Sequence, residues 1–168
     1  MLVTHDPETD LAILRLPAPV DSIAFLRGDN PVRPGESVVA IGYPLQGYLS
    51  SQASITAGIV SGLEGPHNDP HLLQITVPVQ PGSSGSPLID ASGAVAGVVV
   101  AKINGWRLAQ KTGAIPENVN FAIDAKYARP FLDRSGVVYD TATPGDPLST
   151  PALAERGVKF TVMVQCFK

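Results

Sequence analysis

Short apolar runs, each bounded by glycine, proline or small polar residues, fill the middle of the chain. Runs of this length predict β-strands, and a series of them with turn signals in between is typical of a sandwich or a barrel. The predicted strands span residues 36–43, 51–63, 72–79, 86–90, 94–103 and 119–123. Because six antiparallel strands are enough to close a small barrel, we expect an all-β fold of that kind.

Three further segments lie outside this series, two ahead of it and one behind it. Apolar residues alternate with others over Leu11–Leu16, as they do in a half-buried strand. Residues 17–35, rich in proline, glycine and aspartate, are typical of a connector between two structural units. Residues 125–132 predict a short helix that covers one end of the barrel.

The last part of the sequence predicts a linker followed by a tail. Residues 141–151 contain three prolines, a composition typical of a linker. Residues 152–156 predict one or two helical turns, and the alternation over residues 158–167 predicts a strand. We therefore expect an extra tail strand in addition to the barrel and its short helix.

Composition excludes several classes of function. A formal net charge of -3 and a pI near 5.5 leave no basic surface for phosphates, so no nucleic-acid partner is expected. The three histidines and the single cysteine, Cys166, are not spaced as metal ligands, so no metal or other cofactor is expected. No apolar run has the length of a membrane span, and the first residues lack the basic and apolar regions of an export signal.

The candidate chemistry lies in the turn Gly82-Ser83-Ser84-Gly85, directly before a predicted strand. A serine hydroxyl is a useful nucleophile only if a base takes its proton and nearby donors stabilise the oxyanion that it creates. Glycine at position 82 permits a backbone conformation in which the N–H groups of Gly82 and Ser84 point to one spot. Gly85 leaves room for a substrate carbonyl. An ordinary glycine-serine turn is the alternative, because these residues dominate turns for backbone reasons alone.

A second candidate, Asp10, stands at the head of the alternating run that begins at Leu11. An acidic residue in this place is commonly a solvated charge at the edge of a strand. Its functional interpretation is a carboxylate that accepts a hydrogen bond from an imidazole and fixes the tautomer. The nucleophile elbow of α/β-hydrolases, Gly-x-Ser-x-Gly between a strand and a helix, does not fit the sequence around Ser84.

Taken together, these stretches resemble the trypsin-like serine peptidases, and most closely the bacterial HtrA/Deg-like branch. The five collinear matches are residues 6–14, 38–44, 57–61, 81–88 and 120–123. The resemblance implies the second, six-stranded barrel of a double-barrel fold, with Ser84 as nucleophile, Asp10 as triad acid and the N–H groups of Gly82 and Ser84 as oxyanion hole. It also implies a polypeptide substrate and a periplasmic or extracellular location. Ser86 departs from the family, which usually has a second glycine there.

The larger departure is the triad histidine, which in this family precedes the acid by some tens of residues. Only nine residues precede Asp10. His5 would lie roughly 16 Å from Asp10 along an extended strand, and we interpret His5, His67 and His71 as surface or turn residues. The catalytic histidine is therefore expected in a first barrel outside this chain.

This interpretation divides the chain into four parts. Residues 1–20 are expected to be the last strand of the missing first barrel, and residues 21–35 a connector. Residues 36–133 are expected to form the second barrel with its helix, and residues 134–168 a linker with the tail. By the same resemblance, two segments flank the pocket for the substrate residue before the scissile bond. Their predicted substrate-binding residues are Val79, Gln80, Asn120, Phe121 and Ala122. With no carboxylate among them, the pocket favours small or medium aliphatic side chains.

The predicted function is that of a serine endopeptidase, represented here by a C-terminal portion that lacks its base and is inactive alone. A non-catalytic peptide-binding module that keeps the cleft is the first alternative. A structural adaptor, in which Gly82–Ser86 is only a turn, is the second. No functional role is assigned to Cys166.

Overall fold

The structure is a computed structural model that describes residues 1–45, 52–100 and 118–165. The strands of these ranges are β1 (Leu2–Asp6), β2 (Leu11–Leu14), β3 (Leu26–Arg27), β4 (Ser37–Gly42), β5 (Ser54–Gly62), β6 (Leu72–Ile75), β7 (Pro87–Asp90), β8 (Val95–Val100), β9 (Asn120–Asp124) and β10 (Thr141–Ala142). The α-helices are α1 (Ala125–Arg134) and α2 (Thr150–Val158), and Pro66–Asn68 forms a 3-10 turn. No helix of the described residues has the length and hydrophobicity needed to span a bilayer.

Strands β4 to β9 close into an antiparallel barrel. Each strand pairs with two others in the cyclic order β4, β5, β6, β9, β8 and β7, and β7 pairs back onto β4. The barrel interior is filled by aliphatic side chains, among them Val38, Ala40, Leu73, Leu88 and Val99. The all-β barrel expected from the sequence is therefore confirmed, as is a helix directly after β9.

Strand β4 is buried on both faces because a helix covers its outer side. Val38 and Ala40 point into the barrel, whereas Val39 and Ile41 join Leu153 of α2 in a second apolar cluster. Gly157 allows this close approach, since a Cβ built there would lie 2.6 Å from Cδ1 of Ile89 and nearer still to Ile41. Successive residues of a strand face opposite sides, so β4 connects the barrel core to α2.

The predicted connector contains a short strand, β3, that the residue pattern did not predict. β3 pairs in parallel with β8 on one side and with β10 on the other. Its residue Arg27 is buried and donates to Glu36, to Asp90 and to the carbonyls of Asn30 and Pro31. A guanidinium in a protein interior is tolerated only when its donors are satisfied in this way. The connector is therefore fixed to the barrel by a polar core.

The N-terminal residues form a hairpin, which was not predicted either. β1 pairs antiparallel with β2, with His5 opposite Ala12, and these two strands make a sheet separate from the barrel. The chain reverses through a turn over residues 7–10, where Asp10 has a positive φ of 56°. The premise that residues 5–10 are extended, and with it the separation of roughly 16 Å between His5 and Asp10, is wrong.

The tail differs from its prediction. The predicted helical turns at 152–156 are confirmed within the longer helix α2, but residues 159–165 contain no strand, and residue 158 still belongs to α2. The predicted tail strand is therefore wrong over the described residues, because α2 continues through the start of the alternating pattern and no neighbouring strand edge pairs with the residues after it. The tail instead contributes β10. Cys166 and the predicted strand ends at residues 51 and 101–103 lie outside the described residues.

Candidate active site

Ser84 lies at an exposed turn that enters the barrel at β7. Hydrogen bonds fix this turn from two sides: the amide of Gly85 donates to the carbonyl of Val99 in β8 at 2.8 Å, and the amide of Leu45 donates to the carbonyl of Pro81 at 3.0 Å. Within the turn the amide of Ser83 donates to the carbonyl of Gln80 at 2.9 Å. The closed barrel therefore holds the turn from β8 and from the segment after β4.

Gly82 has a φ of +92°, in the region that favours glycine. A Cβ at this position would lie 3.3 Å from the amide nitrogen of Leu45 and from the carbonyl oxygen of Tyr43. The amides of Gly82 and Ser84 donate no hydrogen bond to any other residue that the structure describes. As far as the described residues go, two backbone donors of the serine turn thus remain available to a bound group.

Ser84 opens onto a cavity of about 400 Å³. The described residues that line it come from the serine turn, from the end of β4 with the residues after it, and from the tail segment Thr161–Gln165. None of the described residues that line this cavity carries a charge. Ser86, the departure from the family pattern, is buried and also lines the cavity.

Asp10 lies in the hairpin and does not line the Ser84 cavity. It is exposed and forms no hydrogen bond or ion pair within the described chain. Its neighbour Asp6 is more constrained, since the amide of Glu8 donates to Oδ1 at 3.0 Å and Arg134 of α1 lies 3.0 Å from Oδ2. The Glu8 hydrogen bond, together with the Arg134 charge, holds the pKa of Asp6 below its usual value.

The three histidines are exposed, as predicted, and none lines the Ser84 cavity. His5 lies in β1 and makes no hydrogen bond to Asp10 in the described chain. His67 has a φ of 60° in the 3-10 turn. His71 is engaged elsewhere: its Nδ1 lies 2.7 Å from Oδ1 of Asp69 and its ring packs 4.3 Å from that of Tyr127.

The Asp69–His71 pair is a local structural contact. The amide of His71 donates to the Asp69 carboxylate at 3.0 Å. This hydrogen bond, together with the one between the His71 ring and the same carboxylate, holds the pKa of Asp69 below its usual value. The pair therefore orders the turn before β6, and neither residue lines the Ser84 cavity. The described residues contain no group of three or more His, Cys, Asp or Glu side chains that could hold a metal ion.

The predicted substrate-binding residues separate into two groups. Val79 and Gln80 line a second cavity of about 160 Å³ with Ser83 and Ser86, just behind the serine turn. Asn120, Phe121 and Ala122 are buried in β9, and Asn120 donates from Nδ2 to the carbonyl of Val77 at 2.7 Å. In the described chain their side chains form part of the barrel rather than a surface, and their role toward substrate stays a prediction.

Known proteins are similar to this chain in sequence and in fold. A family model for the trypsin-like peptidase domain matches residues 1–98. The chain is 42% identical over 165 residues to an uncharacterized protein, y4bJ, of Sinorhizobium fredii, covering 98% of this chain and 26% of that protein. It is 34% identical over 142 residues to the serine protease Do-like HtrB of Bacillus subtilis, covering 79% of this chain and 29% of HtrB.

A similar match joins the chain to a probable periplasmic serine endoprotease, DegP-like, of Brucella suis: 34% identity over 140 residues, 79% of this chain and 25% of that protein. Among solved structures, the serine endoprotease of Yersinia pestis matches with a TM-score of 0.63 and 26% identity, over 80% of this chain and 43% of that one. The chain belongs to the trypsin-like peptidase family and is similar to its HtrA/DegP members. It spans about a quarter of the length of the curated relatives that it matches.

Sequence reasoning missed one component of this site, the tail segment beside Ser84. The alternation over residues 158–167 suggested a paired strand, and nothing in the residue pattern indicates that helix α2 directs the residues after it to the cleft. The signal that could have suggested it is the apolar triplet Val162-Met163-Val164, which is unusually apolar for an unpaired terminal segment.

Proposed function

We propose that this chain carries the nucleophile, the oxyanion hole and the acid of a serine endopeptidase, and that the base comes from outside the 168 residues. One observation carries the proposal: Ser84 is exposed, the amides of Gly82 and Ser84 donate to no other described residue, and both residues border one cavity. Membership in a family of peptidases supports the same reaction.

The reaction uses these groups in sequence. The Oγ of Ser84 attacks the carbonyl carbon of the scissile peptide bond, and its proton passes to an imidazole supplied by the missing segment. The carbonyl oxygen becomes an oxyanion that accepts hydrogen bonds from the amides of Gly82 and Ser84. Collapse of the intermediate breaks the C–N bond, the leaving amine takes the proton, and water then hydrolyses the acyl-enzyme in the same way.

Asp10 is assigned the orienting carboxylate, which holds the imidazole tautomer and stabilises its charged form. In the described chain Asp10 lies in the hairpin, without a partner and outside the cavity. The proposal therefore includes a further step, in which the segment that supplies the histidine also packs on the hairpin. The exposed apolar residues Leu2, Val3 and Leu14 give that segment a surface to cover.

A non-catalytic peptide-binding module is the second candidate. It is favoured by one observation, that no histidine of the described chain borders the Ser84 cavity. A protein of this kind would keep the cleft and bind polypeptides without cutting them. The two candidates differ only in whether a base reaches Ser84.

Covalent labelling separates them. We expect a fluorophosphonate probe to label Ser84 when the chain is expressed with a preceding segment that carries a histidine in a Thr-Asn-Ala-His or Thr-Ala-Ala-His setting. The label should be lost in Ser84→Ala and retained in Ser61→Ala, a serine exposed on β5. An extended protein that carries such a histidine and still takes up no label would contradict the endopeptidase and leave the binding module.

A further inference from the structure

We propose that the tail segment Thr161–Gln165, here called the tail wall, is a specificity-determining part of the cleft and selects extended peptides with apolar side chains. The tail wall lines the same cavity as Ser84, together with Tyr43 and Gly82. The inference rests on the proposed function, because it takes this cavity to be where a polypeptide binds. It adds an element that the predicted substrate-binding residues do not include.

The tail wall is positioned by the barrel. Helix α2 packs on the outer face of β4 through Leu153, and Phe160, two residues after the helix ends, packs against the same cluster. At the end of the helix, the amide and the hydroxyl of Thr161 both donate to the carbonyl of Gly157, at 3.0 and 2.8 Å. Ile41, which α2 covers, directly precedes Gly42 at the cavity. The same strand therefore fixes both walls of the cleft.

The exposed side chains of the tail wall indicate what it binds. Val162, Met163 and Val164 are 50%, 44% and 65% exposed, although all three are apolar. Consecutive exposed apolar residues beside a cavity are typical of a binding surface. No described residue of the lining is charged, so an ionised substrate side chain placed there would lose water without gaining a charged partner among the described residues.

The backbone of the tail wall points to an extended ligand. Beyond Thr161, its amides and carbonyls take part in no backbone hydrogen bond with the described residues. An extended peptide can pair with such a segment through main-chain hydrogen bonds while its side chains fill the cleft. A ligand running between the tail wall and the serine turn would also bring a carbonyl group to the amides of Gly82 and Ser84, which donate to no other described residue.

Peptide binding to the whole chain tests the inference without requiring catalysis. Fluorescent peptides of one length, with a central Leu, Lys or Glu, are titrated by anisotropy against the chain carrying Ser84→Ala, so that no bond is cut. To this background are added Met163→Glu in the tail wall or, as the matched control, Val138→Glu. Val138 is 95% exposed and does not line the cavity, so both variants add the same charge at an exposed site.

We expect the Leu peptide to bind at least about tenfold more tightly than the Lys and Glu peptides. Met163→Glu should weaken Leu-peptide binding by about tenfold and move the preference toward the Lys peptide, whereas Val138→Glu should change neither. The inference is overturned if the two variants behave alike, if no peptide binds, or if Met163→Glu tightens Leu-peptide binding, which would make the segment a cover. Serine labelling in the extended protein tests the proposed function independently, so the two failures are distinguishable.

Discussion

The barrel and the N-terminal hairpin contrast in how much of their structure the chain itself determines. Every residue of β9 is buried, and the serine turn is hydrogen-bonded to β8 and to Leu45. The hairpin is a separate two-stranded sheet whose Leu2, Val3 and Leu14 are exposed. A two-stranded sheet alone is marginally stable in water. The barrel therefore fixes the geometry around Ser84, whereas the hairpin that carries Asp10 leaves apolar side chains exposed and has less packing to fix it.

Loss of the buried guanidinium should have the largest effect on the barrel side of this comparison. Arg27→Met leaves the buried carboxylate of Asp90 without its cation and leaves the partly buried Glu36 with Arg33 alone, so we expect a loss of about 3–5 kcal/mol in the free energy of unfolding. Denaturant titration measures it. Arg33→Met is the matched control, since Arg33 also pairs with Glu36 but its side chain is 79% exposed, and it should cost less than about 1 kcal/mol. Equal losses would show that the polar core under β3 does not stabilise the barrel.

A bulky side chain between α2 and β4 should have the next largest effect. Gly157→Val forces a side chain against Ile41 and Ile89, and overpacking of this kind costs about 1–3 kcal/mol. Gly145→Val, where nothing lies near the added Cβ, should cost far less. In the Gly157 variant, hydrogen exchange should also be faster at the amide of Thr161, which donates to the carbonyl of Gly157. Unchanged stability would mean that α2 does not pack on β4 as described.

The decline of barrel stability at acid pH should show a smaller effect, and the lowered pKa of Glu36 fixes its direction. Burial opposes ionisation of Glu36, but hydrogen bonds from Arg27 and Arg33 outweigh it and lower the pKa of Glu36 below its usual 4.5. A lowered pKa contributes stability that is fully present above that usual value and is lost as the pH falls through the folded-state pKa. Glu36→Gln should therefore flatten the decline of stability below about pH 4.5. An unchanged acid slope in thermal melts would contradict this.

The smallest effect is expected in the hairpin. Arg134→Gln removes the exposed contact to Asp6, so exchange of the β1 amides should become faster while the Tm of the barrel stays unchanged. Arg15→Gln, also in the N-terminal region but without a described ion pair, is the control. A fall of several degrees in Tm for Arg134→Gln would show that hairpin and barrel unfold together, and the contrast between the two regions would not hold.

The same contrast shows what the sequence could predict. Each barrel strand carries its own apolar run and is bounded by turn residues, so the strands from Ser37 to Asp124 and the turn at Ser84 were predictable from local patterns. Strand β3 was not, because two residues give no periodicity and Arg27 is buried only through partners distant in sequence. The reversal at residues 7–10 includes Asp10 with a positive φ. An aspartate tolerates this conformation, but its presence in a sequence does not predict it.

The tail wall was unpredictable for a related reason. Its place beside Ser84 depends on the packing of Gly157 against Ile41 and Ile89, a contact between residues that are far apart in the sequence. Alternation along a segment shows that one side is apolar, but not which surface that side meets. Long-range contacts of this kind are visible only in the folded chain.

Peptide hydrolysis by the purified 168-residue chain tests the central claim most directly, since it asks whether Ser84 lacks its base. Removing the histidine of a Ser-His-Asp triad costs about a millionfold in turnover. We therefore expect cleavage of apolar peptide substrates to be no faster with this chain than with its Ser84→Ala variant. Measurable hydrolysis that Ser84→Ala abolishes would contradict the account, because a residue within the chain would then be serving as the base.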